Sequence, residues 1–318
     1  MKRLTEKILS GDVRAIARAI SWIENDYAQK EQLIDDLYPH CGNAVVWGLT
    51  GPPGSGKSTL LNLLIARERM KGKRVAVIAI DPSSPFSGGA ILGDRLRMQK
   101  HSTDSGVFIR SMASRGHLGG VAGATADAIK VLDAAGFDLI IIETIGVGQT
   151  EIEVVEMTDV VLLLLVPGLG DEIQALKAGI MEIGDIFIIN KSDKDEAMKT
   201  KAEVEYVLSL NDNPRKDRPN PIFMTSAVLN LGIDELSTGI DLYIEELRVN
   251  GLIEDKRRKR IAREIRLMIT AKIRREVEKQ LGLNERIDSW VDQVYRRKRR
   301  PYAMINELSD TFFKKNRT

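Results

Sequence analysis

The stretch Gly51-Pro52-Pro53-Gly54-Ser55-Gly56-Lys57-Ser58-Thr59 lies between an apolar run, AVVWGLT at 44–50, and a helical stretch, TLLNLLIARERM at 59–70. It matches G-x-x-x-x-G-K-[ST], and a place between strand and helix is the one in which such a loop cradles phosphate. Its glycines let the backbone curl so that successive N–H groups point at phosphate oxygens. The helix that follows turns its positive end toward the same anion. The pattern expects Lys57 to bridge the β- and γ-phosphates and Ser58 to ligate Mg2+, with the main chain of 51–59 as the cradle.

Working outward, short apolar runs recur at 44–50, 75–80, 107–110, 139–143, 160–166, 186–190 and 222–225, with helical stretches between them. Several are apolar without alternation, as strands covered on both faces are. The alternation predicts an α/β fold: a doubly wound, mainly parallel sheet. Residues 1–42 read as helices, from Ile16, Ile20 and Ile23 and from Leu33, Ile34 and Leu37 at helical spacing, until Pro39 and Gly42 break the pattern. Residues 249–318 read as helices too, with Ile261, Ile265, Ile269, Ile273, Val277 and Leu281 in an i, i+4 row and Pro301 opening a further stretch. Three regions are therefore expected: an N-terminal helical segment at 1–42, a phosphate-loop domain at 43–248 and a C-terminal helical arm at 249–318.

A phosphate loop does not choose its base. Asn190-Lys191-Ser192-Asp193 follows the run IFII and matches N-K-x-D at the end of a strand, where open α/β sheets bind ligands. Guanine presents two adjacent donors, N1–H and the 2-amino group, and the Asp193 carboxylate can accept both. Adenine would leave that acceptor unpaired, at about 1–3 kcal/mol. Lys191 can lay its methylene stem along the ring, and Asn190 is expected to brace the loops. Ser226, Ala227 and Val228 follow the run PIFMT, where a main-chain N–H is expected to meet the base carbonyl. The ligand expected is therefore GTP or GDP.

The run LIIIET ends in Glu143, at the place of a Walker-B carboxylate. Asp81 ends the run RVAVIAI, and Asp94 lies in SGGAILGDRLRM. Mg2+ keeps several waters and uses few direct carboxylates, so some of these three acids are expected to act through water. Val147 stands where a Ras-like enzyme has its Gln, and Gln149 lies two residues on. Hydrolysis is therefore expected to be slow alone and to quicken when a partner orders the loops.

Composition bounds the rest. With 43% hydrophobic and 29% charged residues the chain is no disordered polymer. The one cysteine, Cys41, excludes an internal disulfide and a thiolate zinc site, and a reducing compartment follows as the expectation. No apolar run approaches the roughly 18 residues of a membrane span, and the start MKRLTEKILSGDVRAI lacks a signal-peptide core, so a cytoplasmic location without membrane contact is expected. His40, His101 and His117 are scattered, which argues against metal delivery. The net charge of +2 divides into +10 for 251–318 and −8 for the remainder. KRRKR at 256–260 and RRKRR at 296–300 invite nucleic acid, but the interleaved apolar residues place them on the wet face of packed helices in a dimerisation arm.

The chain resembles the MeaB/ArgK-type G-proteins, which include the human protein of methylmalonic aciduria type A. The resemblance rests on GPPGSGKST, AIDPSSPFSGGAILGDRLRM, FIRSMASRGHLGGVA, ETIGVGQTE, VPGLGDEIQALKAGI, NKSD and TSA. It implies a GTP-hydrolysing chaperone of an adenosylcobalamin-dependent acyl-CoA mutase, typically methylmalonyl-CoA mutase, gating cofactor loading and protecting or reactivating the mutase. It implies a homodimer with a helical C-terminal arm. It also implies that Asp81, Asp94 and Glu143 serve metal and catalysis, and that 168–177 is a mobile loop whose Lys177 moves toward the nucleotide. Read physically, Pro167, Gly168 and Gly170 suit such a loop, and Lys177 can meet developing phosphoryl charge. Two other readings stay open: a phosphate-loop kinase of the type once assigned to arginine and ornithine transport, and a GTP-gated binding module with negligible turnover.

Overall fold

A computed structural model of the chain describes residues 1–81, 101, 103–113, 120–144, 157–168, 180–210 and 219–315. Each apolar run becomes a strand: β1 (Val45–Thr50), β2 (Val75–Asp81), β3 (Val107–Ala113), β4 (Leu139–Thr144), β5 (Val160–Leu165), β6 (Ile186–Ile189) and β7 (Ile222–Met224). Among the described residues they form one seven-stranded sheet in the order β3-β2-β4-β1-β5-β6-β7. Every neighbouring pair is parallel. β1 lies between β4 and β5, so the strand order reverses beside it. Such a switch point opens the crevice in which these sheets hold ligands, beyond the carboxyl ends of their strands.

The helices are α1 (Lys2–Leu9), α2 (Val13–Glu24), α3 (Lys30–Leu37), α4 (Lys57–Met70), α5 (Gly120–Ala134), α6 (Ile180–Ile183), α7 (Ala197–Leu210), α8 (Ile233–Val249), α9 (Leu252–Leu281), α10 (Leu283–Tyr295) and α11 (Pro301–Lys315). Strand alternation sorts the core. Val46, Ile140 and Ile142 face a cluster built from α1, α2, α3 and α5. Trp47, Leu49 and Ile141 face Leu60, Leu61 and Leu64 of α4 and Leu236, Ile240 and Ile244 of α8. Asp12 caps α2, its carboxylate accepting from the Ala15 N–H at 2.7 Å. Ile16, Ile20 and Ile23 are at most 2% exposed. Burying such side chains contributes roughly 1.5–3 kcal/mol each, so the N-terminal helices are part of the sheet's covering.

Two compact units divide the chain, Met1–Arg260 and Ile261–Thr318. Within the first, the opening turns of α9 depart from the sequence expectation of a wet basic face. Arg257 donates to the Asp159 carboxylate from Nε and Nη2 at 3.1 and 2.9 Å, and to the carbonyls of Gly42 and Ala44 at 2.8 and 2.9 Å. Lys256 donates to both Asp185 oxygens at 2.8 Å. Arg260 donates to the Met157 carbonyl at 2.5 Å. Asp159 and Asp185 also accept main-chain N–H groups, of Val46 and Val161, at the starts of β1 and β5. Burial works against the Arg257 charge, but Asp159 outweighs it and the guanidinium is held above its usual range. Positions 256, 257 and 260 share one helical face, while Arg258 and Lys259 point to solvent. In the second unit Ile261, Ile265, Ile269 and Ile273 are 41–57% exposed, and Trp290 and Met304 are buried.

Candidate nucleotide-binding site

β1 delivers the chain to Gly51 at φ +148, where a Cβ would stand 2.3 Å from the Leu164 carbonyl oxygen. Only glycine passes there. Gly56, at φ +92, opens α4, and a Cβ on it would meet the Asn190 amide nitrogen at 2.5 Å. The first turn of α4 carries no acidic residue and Gly56 gives it no side-chain cap, which keeps the helix's positive end available to an anion. The Lys57 side chain is buried and its ammonium donates to the carbonyls of Gly51 and Pro52 at 2.7 and 2.9 Å.

β4 ends beside this loop. The Ser58 hydroxyl donates to Glu143 Oε1 at 2.8 Å, and Glu143 is 2% exposed. A hydroxyl and a carboxylate meeting in a buried place are hard oxygen donors of the kind Mg2+ takes, directly or through water. Among the described residues no group of three or more His, Cys, Asp or Glu gathers as a metal cage. Asp81 is the last residue of β2, paired in register with Ala113. Asp94, Lys177 and all of 168–177 beyond Gly168 lie outside the described residues, as do Val147 and Gln149.

The N-K-x-D segment leaves β6 and is stitched to the phosphate loop. Asn190 donates from Nδ2 to the Ser55 carbonyl at 2.8 Å, and its Oδ1 accepts from the Thr225 hydroxyl at 3.2 Å and the Ala227 N–H at 3.0 Å. One amide thus joins 51–59 to the segment after β7. Lys191 takes φ +59, and its ammonium donates to the Gly54 carbonyl at 2.8 Å. Its charge ends on the phosphate loop. Asp193 is exposed, and its Oδ1 accepts from the Ser226 hydroxyl at 2.5 Å. That bond, above all, holds its carboxyl below the usual carboxylate range.

The segment 226–228 differs from expectation in one respect. The N–H of Ser226 bonds to the Leu231 carbonyl at 3.0 Å and that of Ala227 to Asn190, so two of the three groups offered to a base carbonyl are already committed inside the protein. Val228 is 84% exposed. Residues that the sequence left unremarked also enter here. Thr225 meets Asn190, and Thr144 donates its hydroxyl to that of Thr50 at 2.9 Å. The available signal was a lone threonine at the end of each apolar strand, which pattern alone cannot tell from valine.

The fold and this site define a phosphate-loop nucleotide-binding protein. The family model described as methylmalonyl Co-A mutase-associated GTPase MeaB matches residues 16–281. A relative from Pyrococcus abyssi that carries a GTPase name is 50% identical over 308 residues, covering 96% of this chain and 94% of its own. The GTPase ArgK of Escherichia coli is 37% identical over 298 residues, covering 91% and 88%. A solved structure titled LAO/AO transport system kinase superposes with a TM-score of 0.72 at 25% identity, covering 98% of this chain and 97% of that one. The chain belongs to the MeaB family and is a GTPase.

Proposed function

We propose that this GTPase serves as a chaperone of an adenosylcobalamin-dependent acyl-CoA mutase in the cytoplasm, with methylmalonyl-CoA mutase the first client to test. The observation that carries the reading is the family match across 16–281, whose description names that mutase. The site supports the nucleotide half of it. The main chain of 51–59 and Lys57 hold the triphosphate. Asp193, held by the Ser226 hydroxyl, accepts the two guanine donors. Ser58 and Glu143, with Asp81 and Asp94, would hold Mg2+, which when bound neutralises charge on the β- and γ-phosphate oxygens. Lys57 moves from the Gly51 and Pro52 carbonyls to the phosphate, exchanging neutral acceptors for charged ones. Lys177 is the group assigned to developing phosphoryl charge once a partner orders its loop.

The chain acts as a homodimer, and 249–318 is the dimerisation arm. The exposed row Ile261, Ile265, Ile269 and Ile273 supports this, because a continuous apolar stripe on a helix asks for a partner helix. The same geometry weakens a nucleic-acid role for 256–260, since three of its basic side chains are spent on carboxylates and carbonyls of the core. A pull-down with the full chain loaded with GTP or with GDP, probed for a cobalamin-dependent mutase, tests the chaperone reading. Recovery of a mutase in a nucleotide-dependent amount is expected. Recovery of none in either state reduces the assignment to a GTPase without this client.

A further inference from the structure

The buried hydroxyls of Thr50 and Thr144 have no place in the phosphate or base chemistry above. β1 and β4 run parallel with the register Val45↔Leu139 through Leu49↔Glu143. Beyond that last pair Thr50 remains in register with Leu163 of β5 and Thr144 with Ile80 of β2; Gly51 then begins the phosphate loop, and β4 ends at Thr144. The Thr144–Thr50 bond at 2.9 Å is a cross-strand tie one residue past the end of the backbone ladder. Alternation puts Glu143 on the face of Trp47 and Leu49, toward α4 and Ser58. Thr50 and Thr144 fall on the face of Val46, Ile140 and Ile142.

On that apolar face the two threonines are 1% and 2% exposed. Valine would fill the same volume without a polar atom to satisfy, so packing does not account for them. What the pair adds is direction. The hydroxyl bond fixes the end of β4 against the end of β1, one residue after Glu143 and immediately before the loop that carries Ser58. The Ser58–Glu143 distance is set by the positions of those two strand ends. From this juxtaposition we infer that Thr50 and Thr144 are a positioning pair that presets Glu143 and Ser58 for the divalent cation. The inference rests on the reading of Glu143 as a residue of the metal site.

The test measures the affinity of the full chain for a fluorescent GDP as Mg2+ is titrated, alongside thermal stability. The variants are Thr144→Val, Thr144→Ser, Thr50→Val, the double Thr50→Val/Thr144→Val, and Glu143→Gln. Thr144→Val and Thr50→Val are each expected to raise the Mg2+ midpoint about tenfold, the scale on which partners of metal-site residues act. Nucleotide affinity with Mg2+ chelated is expected to stay unchanged. Thr144→Ser keeps the hydroxyl and is expected to keep the midpoint. The double variant leaves no hydroxyl unpartnered, so it is expected to recover stability while its midpoint stays shifted. A wild-type midpoint in both single valine variants overturns the inference. So does a serine variant shifted as far as the valine one, or a double variant whose midpoint returns along with its stability. An unshifted Glu143→Gln overturns the metal reading of Glu143 itself, a separate failure visible in its own arm.

Discussion

Asp193 is exposed, and the Ser226 hydroxyl donates to its carboxylate and holds the carboxyl below the usual carboxylate range. In the role proposed for Asp193, exposure would give a base a way in, and the bond to Ser226 would aim the carboxylate beforehand. Asn190 and Lys191 tie the segment 190–193 to the Ser55 and Gly54 carbonyls. Asp193→Asn presents an amide donor where guanine's own donors arrive. GTP affinity is expected to fall about tenfold to a hundredfold, while xanthosine triphosphate, with an oxygen in place of the 2-amino group, is expected to gain. Competition binding measures both. A variant that still prefers GTP over xanthosine triphosphate as the wild type does contradicts this role.

At the scale of elements, two polar clusters bind helices to the sheet. In one, the root of α9 clasps Asp159, whose side chain is 1% exposed. Arg257→Ala leaves that buried carboxylate to Arg260 and the Val46 N–H, and breaking such a pair costs about 3 kcal/mol or more. Urea unfolding is expected to show that loss, and a change below about 0.5 kcal/mol would make the clasp an ornament. In the other, Lys71 and Lys73 of the α4–β2 connection meet Glu68 and Asp241, joining α4 to α8. Burial raises the Asp241 carboxyl, but the two lysines more than offset it and its net shift is downward. A carboxyl depressed in the folded state adds stability above its ordinary value, about 3.9, and loses it as pH falls through the folded value. Asp241→Asn is therefore expected to flatten the acid limb of the stability profile. An acid limb like the wild type's would contradict the assignment.

These clusters mark what the sequence could and could not disclose. All seven strands were legible because runs such as LIIIET and VVLLLL have no polar face and are short. Gly51, Lys57, Asn190 and Asp193 were legible because their chemistry is carried by local spacing. KRRKR was legible only in part: Arg258 and Lys259 face solvent as expected, but Lys256, Arg257 and Arg260 meet carboxylates 71 to 101 residues upstream, and a basic run so bound has the same composition as a wet one. The commitment of the Ser226 and Ala227 N–H groups depended on Leu231 and Asn190, and the Thr50–Thr144 bond depended on the β1–β4 register, which spacing alone does not give.

At the scale of the molecule, the charge asymmetry takes a physical form. Acidic residues just before β5 and β6 receive part of the positive excess of 251–318, and the isoleucine row that follows on α9 is exposed. Among the described residues no helix is long and apolar enough to cross a membrane. Light scattering of the full chain is expected to give twice the mass of one chain, and a version ending at residue 260 is expected to give a single mass. A dimer that survives the truncation would contradict the arm.

The central claim is that one main-chain cradle with Lys57 grips a triphosphate whose purine Asp193 selects. Titration calorimetry of the full chain with GTP and with ATP, both in Mg2+, tests it most directly. GTP is expected to bind on the order of a hundredfold more tightly, and Lys57→Ala is expected to abolish uptake of both. Equal affinity for the two nucleotides, or undiminished uptake by Lys57→Ala, would contradict it.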